Sequence, residues 1–129
     1  MNLFFDMDYT LIGGIDGAPR PQVLEVMEQL KADGHELYVW SGVGIRWRDC
    51  KRLGIEHLIN DCYLKPMSNY YEGMKKLELP AEPDVVIDDF PMVVSAFGGF
   101  CMPAYNIEDP DEFFGRIITC EKTQGFSFH

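Results

Sequence analysis

Basic residues are scarce in this chain. Eleven lysines and arginines stand against twenty-one acids, for a net charge of −10, and the basic residues form no stripe. Phosphate backbones are held by clustered lysine and arginine, so this balance argues against a nucleic-acid-binding face. No apolar run approaches the roughly eighteen residues a membrane span requires, so no membrane partner is expected. No basic leader with an apolar stretch behind it opens the sequence, and the expected location is the cytoplasm. Cys50, Cys62, Cys101 and Cys120 include no Cys-x-x-Cys pair and no histidine at zinc-ligand spacing, which leaves reduced, structural thiols as the expectation. Neither Gly-x-x-x-x-Gly-Lys-Ser/Thr nor Gly-x-Ser-x-Gly occurs, so nucleotide kinases and serine hydrolases lack their sequence signals. No internal repeat, low-complexity tract or linker divides the 129 residues, a length that suits one core.

What the sequence does have is a strand that runs into acid. Leu3-Phe4-Phe5 favours a buried strand, and Asp6-Met7-Asp8-Tyr9-Thr10 follows at once. Carboxylates do not stay in a buried strand without partners, so the strand is expected to end at Asp6. Two acids held close repel unless a cation lies between them or one keeps its proton. By itself Asp-x-Asp is also an ordinary turn sequence.

Downstream, helical and strand periods alternate. Val23, Leu24, Met27 and Leu30 predict a helix that opens at Pro21 and is capped by Gly34. The run from Glu36 to Gly42 predicts a second strand, ending in Ser41-Gly42. A short basic helix spans Ile45 to Leu53, and a brief third strand ends near Lys65. Ser68 is placed to cap a helix through Tyr70, Tyr71, Met74 and Leu77. From Asp84 a β-branched strand again runs into paired acids, Asp88-Asp89. A helix over Met92 to Phe97 and a last strand over Phe100 to Tyr105 follow, with Pro103 tolerable at a sheet edge. Asp109-Pro110-Asp111 starts a final helix through Ile118. The expected core is residues 1–120, with 121–129 as a tail. Gly13 to Ala18 reads as a tight loop or small hairpin.

Strands alternating with helices predict an α/β fold: a three-layer, Rossmann-like open parallel sheet of about five strands. Such sheets bind ligands beyond the carboxyl ends of their strands, at the point where the winding reverses. If the chain winds outward through strands one, two and three and then crosses back, strand four lies beside strand one. Asp6, Asp8, Asp88 and Asp89 then converge with Ser41 and Lys65. That much negative charge calls for a hard cation, and Mg²⁺ fits because it prefers oxygen ligands.

In this order of pieces the chain resembles the haloacid dehalogenase superfamily, mostly phosphatases. The resemblance rests on Asp6-Met7-Asp8-Tyr9-Thr10, Ser41 after an apolar strand, Lys65, and Asp88-Asp89, and it runs from Leu3 to about Tyr105. It implies Asp6 as the nucleophile that forms an aspartyl-phosphate and Asp8 as general acid and then base. It implies that Thr10 holds the loop, while Ser41, the Gly42 amide and Lys65 bind the phosphoryl group. For Mg²⁺ it implies the Asp6 carboxylate, the Asp8 backbone carbonyl and Asp89, with Asp88 either in the metal shell or orienting Lys65.

The gaps between these motifs are too short for the cap domains common in that family, so the resemblance is to a capless member with an open site. In the family, openness goes with a phosphorylated macromolecule as substrate, or with a neighbouring subunit acting as lid; a phosphorylated small molecule also fits the chemistry. The Gly13–Ala18 loop sits where the family has a mobile flap. Arg46 and Arg48 are within reach of a second anionic group, with a solvated helix face as the simpler expectation. Two other functions are compatible with these residues: a binding or regulatory module without turnover, and a phosphotransferase. A receiver domain is disfavoured, because its phosphorylated aspartate lies on a middle strand of the sequence order.

Overall fold

The computed structural model describes residues 1–106 and 113–124. Five strands, β1 (Asn2–Asp6), β2 (Glu36–Ser41), β3 (Asp61–Leu64), β4 (Val85–Asp88) and β5 (Gly99–Cys101), form one sheet in the order β3-β2-β1-β4-β5, every pairing parallel. This is the expected winding. The chain steps outward from β1 to β3, then crosses back to lay β4 against the free side of β1. The reversal point therefore falls between β1 and β4, where two acid-tipped strands run side by side with Leu3 opposite Val85 and Phe5 opposite Ile87.

Alternation along the strands builds the layers. Leu3, Phe5, Leu37, Val39, Val85 and Ile87 bury against α1 (Val23–Ala32), α2 (Trp47–Arg52) and α5 (Arg116–Gln124). Phe4, Trp40, Tyr63 and Val86 bury on the opposite face against Met74 of α3 (Tyr70–Lys76) and Val93 of α4 (Pro91–Phe97). Phe4 lies at the centre of that second face, with ring centroids of Trp40 and Tyr38 at 4.8 and 4.9 Å. Central strands apolar on both faces are what a sheet covered on both sides requires. Among the described residues no inserted domain separates these elements. Among the described residues no helix is long and apolar enough to cross a membrane.

Several boundaries differ from the sequence expectation. Asn69, in left-handed backbone at φ 48°, precedes α3, so Ser68 is not its cap. The last strand is Gly99–Cys101, not Phe100 to Tyr105. Gly99 enters it because a Cβ there would lie 1.9 Å from the Val86 carbonyl oxygen, a close approach that only glycine permits. Past Cys101, Met102 donates to the Asp88 carbonyl and Tyr105 to the Tyr9 carbonyl, which draws the chain off the sheet and over the loop behind β1. The final helix continues to Gln124, beyond the expected core boundary at 120. Ile117 is buried, and Glu121 pairs with His35, so this polar stretch stays docked where its composition suggested a tail. The expected helix start at Asp109–Asp111 and the tail residues 125–129 lie outside the described residues.

Candidate active site

The carboxyl ends of β1, β2, β3 and β4 bring together the residues that the sequence singled out. Asp6 ends β1, Ser41 ends β2, Lys65 follows β3, and Asp88 ends β4 with Asp89 next to it. Lys65 Nζ donates to Asp6 Oδ1 at 3.0 Å and to Asp88 Oδ2 at 3.1 Å. The other Asp88 oxygen accepts the Phe90 amide at 2.9 Å, so this fully buried acid has both oxygens occupied by protein donors. Thr10 Oγ1 lies 3.3 Å from Asp6 Oδ2 and 3.4 Å from Asp89 Oδ1. A hydroxyl has one hydrogen, so Thr10 serves only one of them at a time.

One oxygen from each of Asp6, Asp88 and Asp89 lies within 4.8 Å of the others. Burial pushes the Asp6 carboxyl up to about 8, with repulsion from Asp88 adding to it and the Lys65 charge pulling the other way. Asp88 is raised by burial as well. Burial also works against the Lys65 ammonium, but the two carboxylates outweigh it and hold Lys65 above its ordinary value. One ammonium thus faces three acids. The donor set, all carboxylate oxygen, suits a hard divalent cation such as Mg²⁺, and such an ion reverses the effect of burial on a carboxyl beside it. Asp89 is only partly buried and shares the Thr10 hydroxyl with Asp6.

Asp8 stands apart from this group. Its carboxylate is gripped by Arg46, Nη1 to Oδ2 at 2.7 Å and Nη2 to Oδ1 at 3.0 Å. Arg46 Nη1 also reaches Ser41 Oγ at 3.2 Å, and Nε donates to Asp49 at 2.8 Å. The bond to Asp8 raises the Arg46 pKa further above its ordinary value. The solvated helix face expected for Arg46 is therefore incorrect: the residue precedes the first turn of α2 and folds back over the end of β2. Arg48, one turn position away from that path, is exposed. Ser41 Oγ accepts from both Arg46 and the Val43 amide, the latter at 3.3 Å, so its own hydrogen is left to donate. Gly42 follows, exposed, with Met67 Sδ where its Cβ would stand.

The loop after β1 is held from within. Thr10, Leu11 and Ile12 amides all point to the Met7 carbonyl, and Tyr9 adopts left-handed backbone at φ 65°. A non-glycine residue in that region stores strain, which concentrates at sites where the surroundings over-determine the backbone. Arg20, only 2% exposed, donates to the Thr10 carbonyl and stacks on Tyr105. Nothing in the sequence marked Arg20, since an arginine between two prolines reads as surface. The Gly13–Ala18 segment closes through Gly13 donating to Ala18 and Gly17 donating to Gly13, a tight turn. Gly14 packs under the Tyr9 ring, where a Cβ would fall 2.0 Å from Cζ.

A cleft of about 390 Å³ opens beside the acids, between Gly42 and Lys65 on one side and Pro66, Met67, Lys76 and Leu77 on the other. Exposed apolar side chains come from the segments that follow β1, β2, β3 and β4: Ile15, Val43, Ile45, Met67, Phe90 and Met92 of the first turn of α4. Comparison with protein-family models, curated proteins and solved structures gave no match, so function is read from the site's own chemistry.

Proposed function

We propose that this protein is a Mg²⁺-dependent phosphomonoester hydrolase of the haloacid dehalogenase type, working through an aspartyl-phosphate. The observation that carries the reading is Lys65 bonded to Asp6 and Asp88 at once, with Asp89 and Ser41 at the same rim. A buried, strand-end carboxylate beside one lysine and a cation-ready oxygen cluster is what in-line phosphoryl transfer to a protein nucleophile needs.

A phosphate monoester approaches with its oxygens toward the Ser41 hydroxyl, the Gly42 amide and the Lys65 ammonium. An Asp6 oxygen attacks phosphorus while the ester P–O bond breaks, and the leaving oxygen takes a proton from Asp8. Asp8, now a carboxylate, removes a proton from water; that water attacks phosphorus, the bond to Asp6 breaks, and inorganic phosphate leaves. Lys65 stays paired to both Asp6 and Asp88 and offsets charge on the transferring group. Asp6, Asp89 and the Asp8 carbonyl, with Asp88 supporting, would hold Mg²⁺, which would supply charge neutralisation and favour the ionised form of Asp6. Asp88, whose two oxygens go to Lys65 and the Phe90 amide, chiefly positions the lysine.

The adjoining cleft and its apolar rim suit a substrate whose phosphate is carried on a partly apolar body, small or macromolecular. No inserted domain among the described residues covers the mouth, which suits a large substrate or a neighbouring subunit acting as lid. One observation favours a second reading, a binding module without turnover: Asp8, the acid and base of the scheme, is engaged by Arg46. Phosphate release from a panel of phosphorylated metabolites, sugars and peptides, with Mg²⁺ or EDTA and with an Asp6→Asn control, tests the choice. Release that EDTA and Asp6→Asn both abolish supports the hydrolase. Uniform inactivity of a folded protein that still binds phosphate supports the module.

A further inference from the structure

We propose that Arg46 is a phosphoryl-binding residue held in reserve: in the resting protein the Asp8 carboxylate occupies the guanidinium fork that a substrate phosphate takes, and its displacement frees Asp8 for proton transfer. The inference deepens the proposed function and rests on it.

Three observations point to it. The fork is fixed in direction, because Asp49 holds Nε at 2.8 Å while both terminal nitrogens face Asp8. The same Nη1 lies 3.2 Å from Ser41 Oγ, so an anion that accepts the Ser41 hydrogen arrives next to that nitrogen. And the pair is only half enclosed: the Arg46 side chain is 16% exposed and that of Asp8 36%, so an anion can approach from the solvent side.

An arginine fork matches carboxylate and phosphate alike, two parallel N–H donors to two oxygens. Asp8 thus stands in the fork as an internal substitute for phosphate. A carboxylate accepting two charge-assisted bonds is the wrong form for a general acid, which must carry a proton to give. When phosphate takes the fork, one anion replaces another on the same donors, and Asp8, released beside the leaving oxygen, takes from solvent the proton that it then gives to that oxygen. Binding and readiness for proton transfer are then one event. Water alone, carrying no charge, does not displace Asp8.

Calorimetric titration of inorganic phosphate in the presence of Mg²⁺, into the wild-type protein, Asp8→Asn, Arg46→Gln and the double variant, tests this. Asp8→Asn should bind phosphate roughly tenfold more tightly than wild type, and that gain should shrink to under about twofold in the Arg46→Gln background, as a double-mutant cycle detects for groups in contact. Arg46→Lys, which keeps the charge without the fork, should erase the gain in the same way and provides a second background if Arg46→Gln folds poorly. An equal gain with and without Arg46 would mean that Asp8 merely repels phosphate through space, and overturns the proposal while leaving the hydrolase intact. No gain in Asp8→Asn also overturns it. Absence of phosphate binding in every variant overturns it too, and with no ester hydrolysis by the wild type the proposed function falls as well.

Discussion

Lys65 Nζ donates to Asp6 Oδ1 at 3.0 Å, although Lys65 follows β3 and Asp6 ends β1, strands that do not touch because β2 stands between them. The lysine reaches across the end of that intervening strand, and its Nζ goes on to Asp88. A single ammonium thereby ties together the acids of the two central strands.

Removing that ammonium should be severe. Lys65→Met leaves Asp6 and Asp88 buried without their cation, a change that costs about 3–5 kcal/mol when one partner of a buried pair is deleted. Denaturant unfolding should show it, and phosphate release should be lost. Lys65→Arg should not restore activity, since a planar fork cannot reproduce a point charge shared by two carboxylates.

Asp6→Asn should separate chemistry from stability. Hydrolysis should vanish, because the proposed nucleophile is gone. Yet the EDTA-treated variant should melt at a higher temperature than the EDTA-treated wild type, since asparagine is neutral without the proton that burial and Asp88 oblige the Asp6 carboxyl to hold. Its melting temperature should also respond less to added Mg²⁺. Scanning calorimetry with and without the ion reads both effects.

The pH dependence has a definite sign. Asp6 is raised from 3.8 to about 8, chiefly by burial. Between those values the folded protein holds a proton that the unfolded chain has released, so unfolding free energy falls as pH rises. In EDTA, the contribution of this group to stability should be full below about pH 4 and be lost on approach to about pH 8. Mg²⁺ should raise the melting temperature most at the alkaline end, where it meets an ionised Asp6. A metal-induced shift that is largest in acid would contradict this assignment.

Gly14→Ala tests the loop after β1. Its Cβ would fall 2.0 Å from the Tyr9 ring, so the ring must move, and Tyr9 is already in left-handed backbone at φ 65°. Turnover should drop while the melting temperature changes little, because the affected residues lie outside the sheet. Phe4→Ala is the opposite case. It empties the centre of the aromatic face, at a cost of about 3–5 kcal/mol, with the acids untouched.

The strand order was legible because each of the first four strands carries its own signature: an apolar run that stops at Asp6, Ser41, Lys65 or Asp88. Period and stopping point together define a parallel sheet and the end where its site lies. Arg46 was illegible for a physical reason. Its partner Asp8 is thirty-eight residues away and reached only by the side chain turning back over β2, while a basic residue at the start of a short basic helix looks solvated. Arg20 escaped notice likewise, its burial depending on Tyr105 from the far end of the chain. The last strand was misplaced because a glycine opens it, and propensity counts against glycine wherever close approach favours it. The polar residues from Glu121 on looked like a tail because the contact that docks them, to His35, is made across the fold.

The central position of β1 also bears on when the acids can meet. During synthesis β1 leaves the ribosome first and can pair with β2 early, but its other side waits until β4 has emerged. Until then Asp6 has neither Asp88 nor Asp89 beside it, and a nascent chain lacks the oxygen cluster however well its first half is folded. The oxygen cluster in this molecule is therefore a product of the crossover, assembled only when β4 takes its place against β1.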